Sequence, residues 1–163
     1  MTPATFASLA AYNKWANRRL YEACGRLDES DYRAPRQSFF GSIHATLNHI
    51  LVGDRIWLGR LEGRQSGIKA LDQILYDDLA ELRIARTAED ERVERTVAAI
   101  AAPALGQPFT YRNMAGEAKS FPLGDVLMHL FNHQTHHRGQ VHGLLSATPV
   151  PPPSLDLILF LAE

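Results

Sequence analysis

The stretch "LGDVLMHLFNHQTHHRGQVHGLL", residues Leu123 to Leu145, decides the fold. Its apolar residues return every three or four positions, the period of an α-helix with one buried face. A helical residue advances by about 100°. With Leu130 as zero, Leu123, Val126, Leu127, Val141, Leu144 and Leu145 therefore all fall within roughly 60° of it. That arc is a core face. Pro122 suits the first helical turn, and the run TPVPPP from Thr148 stops the helix. Most helical stability comes from packing an amphipathic face, so this one requires partners.

The partners lie upstream. Thr5 to Leu27 carries Phe6, Leu9, Ala16, Leu20, Ala23 and Leu27 at helical steps, interrupted by Asn13. Asn13 is either a polar edge of the stripe or a buried amide that fixes another polar group. Gly41 and Ser42 open a second helix, with Ile43, Leu47, Ile50, Trp57 and Leu61 on one face, which stops near Gly63. Leu71 to Ile100 reads as a third, highly charged helix, with Leu75, Leu79, Leu82, Val93, Val97 and Ile100 aligned. Arg86 falls within that face, either to snorkel outward or to supply a cation to an internal pocket. Between Pro108 and Pro122, FTYRNMAGEAKSF has two β-forming segments around Asn113 to Gly116, the pattern of a small hairpin. The terminal LDLILFLAE reads as one short helix. The expected fold is therefore all-α: a single-domain four-helix bundle over residues 1–163, with a small β-hairpin insertion before the fourth helix and a short C-terminal helix.

Composition narrows the functional classes. Seventeen basic and 18 acidic side chains leave a net charge of −1, with no argument for nucleic acid or an anionic membrane. No apolar run approaches the roughly 20 residues of a bilayer span, and the first residues lack the order of a signal peptide. The one cysteine, Cys24, can form neither an internal disulfide nor a thiolate cluster. A soluble, cytoplasmic protein is expected. Any metal has to be held by nitrogen and oxygen.

Five histidines stand between His129 and His142. The angular test places His133 and His137 inside the apolar arc, at roughly −60° and −20°, and turns His136 and His142 away. His129 sits on the shoulder, as a substitute ligand or a neighbour. The spacing His133-x3-His137 puts two imidazoles on one face a turn apart, from which both reach one ion. One core histidine is commonly just hydrogen-bonded, but two in register in an apolar arc would each need buried partners. A third ligand has to come from another helix, and His44 and His49 lie at opposite edges of the second helix's stripe. Gly53, one turn after His49, leaves space beside that imidazole and leans the choice towards it. Glu-x-x-His, His-Glu-x-x-His, a phosphate loop and a Gly-x-Ser-x-Gly elbow are all absent, leaving a three-nitrogen mononuclear site.

Three stretches, AYNKWANRRL, LNHILVGDRIWLGRL and HLFNHQTHHRGQVHGLL, resemble the DinB-like, or YfiT-like, metal-binding four-helix bundles, over most of the chain. The resemblance implies a metal-binding triad of one histidine from the second helix and a pair spaced by four in the fourth. Carried onto this sequence, these are His49, His133 and His137. The family is similar to enzymes that use low-molecular-weight thiols, including bacillithiol-dependent S-transferases and mycothiol-dependent isomerases. The resemblance thus implies one divalent ion per chain, zinc or nickel, with a low-molecular-weight thiol as a second cofactor. Three neutral imidazoles leave such an ion an open position, and it acidifies a thiol or water placed there. A metal-dependent transferase acting on a small electrophilic substrate is the first expectation. A non-catalytic metal-binding stress-response protein and a metal-assisted hydrolase are the alternatives. Arg138 is a candidate to hold an anionic group of the thiol, against a surface salt bridge or partner contact. Gln140 is a candidate to hydrogen-bond a ligand or the metal-bound water, against a polar contact at a helix interface. A homodimer is expected from the prevalence of twofold pairs.

Overall fold

Four long helices account for most of the chain in the computed structural model, which describes residues 1–163. They are α1 (Pro3–Cys24), α3 (Ile43–Leu61), α4 (Leu79–Ala98) and α5 (Leu123–Leu145), with a short α2 (Glu29–Arg33) between the first two. Thr2 caps α1 by accepting the Thr5 backbone N–H, and Pro3 occupies a first-turn position where its missing N–H costs nothing. Ser42 and Asp78 cap α3 and α4 in the same way, through the N–H groups of Ala45 and Glu81. α1 packs against α4 and α5, and α3 against α5 and α4, so α1 and α3 stand diagonally opposite.

The expected hairpin is present. Strands β1 (Pro108–Arg112) and β2 (Ala118–Pro122) pair antiparallel, with Phe109 opposite Phe121 and Tyr111 opposite Lys119. Gly116, at φ 82°, takes the left-handed turn position that a Cβ would oppose. Directly after β2 the chain enters α5, so the hairpin is fixed at the mouth of the α3–α5 interface. The C-terminal α6 (Leu157–Leu161) brings Phe160 against Tyr12 and Trp15 of α1.

The core is layered. One apolar cluster gathers Leu20 and Tyr21 of α1, Leu47 and Leu51 of α3, Leu82 of α4 and Leu144 and Leu145 of α5. A second, at the other end, gathers Phe6, Leu58, Val93, Leu127 and Phe131. Each fully buried leucine contributes on the order of 2 kcal/mol. Between them, each long helix contributes polar residues: Asn13 and Asn17, Asp54, Arg86 and Asp90, Gln134 and Arg138, none more than 3% exposed. These seven side chains close into a ring. Arg138 donates to Asn13 and to Gln134, and Gln134 donates to Asp54. Arg86 lies 2.6 Å from Asp54 and 3.0 Å from Asp90, and Asp90 accepts from Asn13 and Asn17. Burial opposes the Arg86 charge, but Asp90 and Asp54 outweigh it and hold the guanidinium charged. Asn13 and Arg86 thus take the inward of their two sequence-based alternatives.

The third helix is shorter than expected. Residues 71–78 are not helical: Asn48 of α3 accepts the backbone N–H groups of Leu75 and Tyr76 and donates to the Tyr76 carbonyl. Those bonds hold the segment as a loop against α3, and α4 starts only at the Asp78 cap. Leu27 also lies beyond α1, which ends at Cys24. α2 and a 3₁₀ turn at Ala102–Gly106 had no counterpart in the sequence reading. No helix is long and apolar enough to cross a membrane.

Candidate metal centre

α3 and α5 face each other at the level of the polar layer, and their histidines meet there. The His49 Nε2 lies 3.2 Å from the Nε2 atoms of both His133 and His137. Four-coordinate zinc with bonds of about 2.05 Å separates its ligand nitrogens by about 3.3 Å, so the spacing suits one ion bound by all three rings. No fourth His, Cys, Asp or Glu joins the group.

Hydrogen bonding behind two of the rings fixes where their protons are. The His49 Nδ1 donates to the Leu71 carbonyl at 2.7 Å, and the His137 Nδ1 donates to the Gln140 Oε1 at 2.8 Å. Both Nε2 atoms therefore carry lone pairs, and two lone pairs 3.2 Å apart repel unless a cation lies between them. Charging the rings is not the way out. Burial, then the neighbouring His137 and His49, pushes the His133 imidazole down to about 3. Burial, opposed by the Gln140 hydrogen bond, takes His137 down to about 4. Burial also lowers His49, although the Leu71 carbonyl and Asp54 pull the other way. Three neutral imidazoles facing inward are the donor set of a divalent ion of borderline softness.

Local sequence explains the convergence. Gly53 follows His49 by one turn of α3, and a Cβ there would stand 2.5 Å from the His133 Cε1. The space it leaves beside His49 is filled by the His133 ring from α5. Phe40, just before α3, stacks on His49 with centroids 3.9 Å apart, closing that side. Gln134, next to His133, is bound to Asp54, next to Gly53, and ties the two helices at the site.

The remaining histidines are placed elsewhere. His44 is buried but turned to the Tyr76 carbonyl and Arg33, so the α3 histidine that meets His133 and His137 is His49. His129 lies against Trp57 and His133, outside the converging set. His136 is exposed and reaches Gln140. Gln140 lies behind His137 and holds its Nδ1. Arg138 is buried in the polar layer, bonded to Asn13, Asn17, Gln134 and Thr135 and turned towards α1 rather than the histidines. Cys24 is buried in apolar surroundings that push its thiol up to about 12, so it stays protonated at neutral pH.

Outward from the triad, between α3, α5 and the hairpin, lies a cleft of about 400 Å³. His49 and His133 form its floor; Trp57, Arg60, Leu71, Tyr111 and Met114 are among its walls.

The DinB family model matches residues 1–163. The chain belongs to the DinB family. "Protein DinB" of Bacillus subtilis (strain 168) is similar to it, with 27% identity over 162 residues, covering 95% of this chain and 94% of that protein. The DinB assignment agrees with the mostly helical fold and with three histidines positioned to bind one metal ion.

Proposed function

We propose that this DinB-family chain is a metal-dependent transferase that joins a low-molecular-weight thiol to a small electrophile. The observation that carries the reading is a triad of neutral imidazoles, two of which, His49 and His133, line an open, aromatic-walled cleft. His49, His133 and His137 would hold the ion, zinc or nickel by the donor chemistry. When bound, such an ion supplies Lewis acidity that deprotonates a thiol at neutral pH. The protein's own contribution is placement. Leu71 and Gln140 hold the rings with their lone pairs towards one point, and Phe40 shields His49 from water. Trp57, Tyr111 and Met114 offer apolar surface to an electrophile beside that point. Sulfur attacks, a carbon–sulfur bond forms, the leaving group departs with the electron pair of the broken bond, and the thiol proton passes to solvent.

A structural metal site is normally closed by a fourth protein ligand, and none is present, which favours catalysis over mere stabilisation. A homodimer and a cytoplasmic setting belong to the same proposal. The test is a conjugation screen of zinc- and nickel-loaded protein against several cellular thiols, with chlorodinitrobenzene as electrophile. Thiol-dependent release of chloride that His137→Ala abolishes supports the reading. Turnover of activated esters without thiol would indicate a hydrolase, and no turnover with metal bound a non-catalytic metal protein.

A further inference from the structure

Arg60 stands out among the arginines of the bundle. Arg33, Arg36, Arg55, Arg86 and Arg92 each reach a carboxylate, whereas no acidic group or hydrogen bond acts on the half-buried Arg60 guanidinium. It is nevertheless held in place. Its Cζ lies 4.5 Å from the Trp57 ring and 4.7 Å from the Tyr111 ring, and those rings meet edge to face with centroids 5.0 Å apart. Aromatic faces fix a guanidinium without using any of its five N–H donors. An oriented, partly desolvated cation with every donor free is built to receive an oxyanion.

Its position says what kind. His49, Gly53, Trp57 and Arg60 follow one another along one face of α3 at steps of four, four and three. His49 and Arg60 line the same cleft, their Cα atoms about 16 Å apart along the helix axis. Contact with Trp57 folds the guanidinium back towards the triad. One small molecule can therefore touch both ends of the cleft.

We infer that Arg60 anchors a carboxylate at the far end of the thiol ligand, so that the cleft selects small acidic thiols over neutral ones. This rests on the thiol reading above. Burial lowers the Arg60 pKa, consistent with a cation short of solvent and of a counter-charge, although the group stays protonated.

The probes are mercaptohexanoate and mercaptohexanol, its uncharged counterpart. Affinity is read on cobalt-loaded protein from the thiolate-to-cobalt absorption band and from Trp57 fluorescence. The acid is expected to bind roughly tenfold tighter or more, the size of one charge-assisted hydrogen-bonded pair. Arg60→Met, which keeps the stem on Trp57, should erase that preference and leave mercaptohexanol affinity unchanged. Equal affinities in the wild type, or a preference that survives Arg60→Met, would overturn the carboxylate anchor and leave the thiol reading standing. Failure of both thiols to bind would overturn the two together.

Discussion

Gln134 and His133 are neighbours on α5, yet they belong to two buried polar clusters that treat their polar atoms differently. In the layer that contains Gln134, two arginines face two aspartates and three amides, and the contacts run in a closed ring through all four long helices. In the cluster that contains His133, the His49 and His137 rings are anchored from behind and their lone pairs point at one another. The His133 Nδ1 is buried without a hydrogen bond, as are the Asp54 Oδ1 and the Arg86 Nε of the layer, so the clusters differ in that the layer sets arginines against aspartates whereas the triad holds no counter-charge. A charge-paired ring specifies a fold; converging lone pairs imply a cationic guest. Adjacency in sequence joins them, because the Gln134–Asp54 bond that completes the ring also positions α3 and α5 for the triad.

The largest expected effect breaks the closed cluster. Arg86→Met leaves Asp54 and Asp90 as buried carboxylates without their cation, and should destabilise the protein by about 3 to 5 kcal/mol in a urea titration. The open cluster should respond in the opposite way. Gly53→Ala puts a methyl group where the His133 ring lies, and Gln140→Ala frees the His137 ring. Each should weaken zinc affinity by about 10- to 100-fold in a chelator competition, with the fold retained by circular dichroism.

A pH series sharpens the contrast further. His133 and His137 are held well below the roughly 6.5 of a free imidazole, so between these values the unfolded chain binds more protons than the folded one. Stability of the metal-free protein should therefore be fully present above about pH 7, fall as the pH drops, and go on falling until the folded rings themselves protonate near 4 and 3. A His133→Gln, His137→Gln double variant should show a shallower midpoint-against-pH curve than the wild type; parallel curves would contradict the burial of neutral rings. The smallest effect is His133→Leu at neutral pH. It removes an unsatisfied polar group, and should leave the unfolding free energy of the metal-free protein within about 1 kcal/mol of wild type.

The same contrast explains what the sequence disclosed. The arc of α5 placed His133 and His137 because helical period and burial share one geometry. Applied to Gln134 and Arg138, the test gives roughly +40° and +80°, which marks Gln134 as interior and leaves Arg138 just outside the arc. The closed layer is hard to read because charged residues are expected outside, and only the partner helices show that their charges cancel. The apolar spacing of residues 71–78 suggests helix, but Asn48, distant in sequence, supplies the bonds that hold them as a loop. Asp78-x-x-Glu81 was the local sign of the true start. The consequence reaches the site, since the Leu71 carbonyl that orients His49 belongs to that loop. Arg60 left no mark in the sequence, since its environment is made by Tyr111 on the hairpin.

The central claim is tested most directly by stripping the protein of metal and titrating it with zinc, beside His137→Ala under the same conditions. One zinc per chain is expected in the wild type, with X-ray absorption reporting three imidazole nitrogens at about 2.0 Å, and almost none in the variant. Equal zinc uptake by the two proteins would contradict the account.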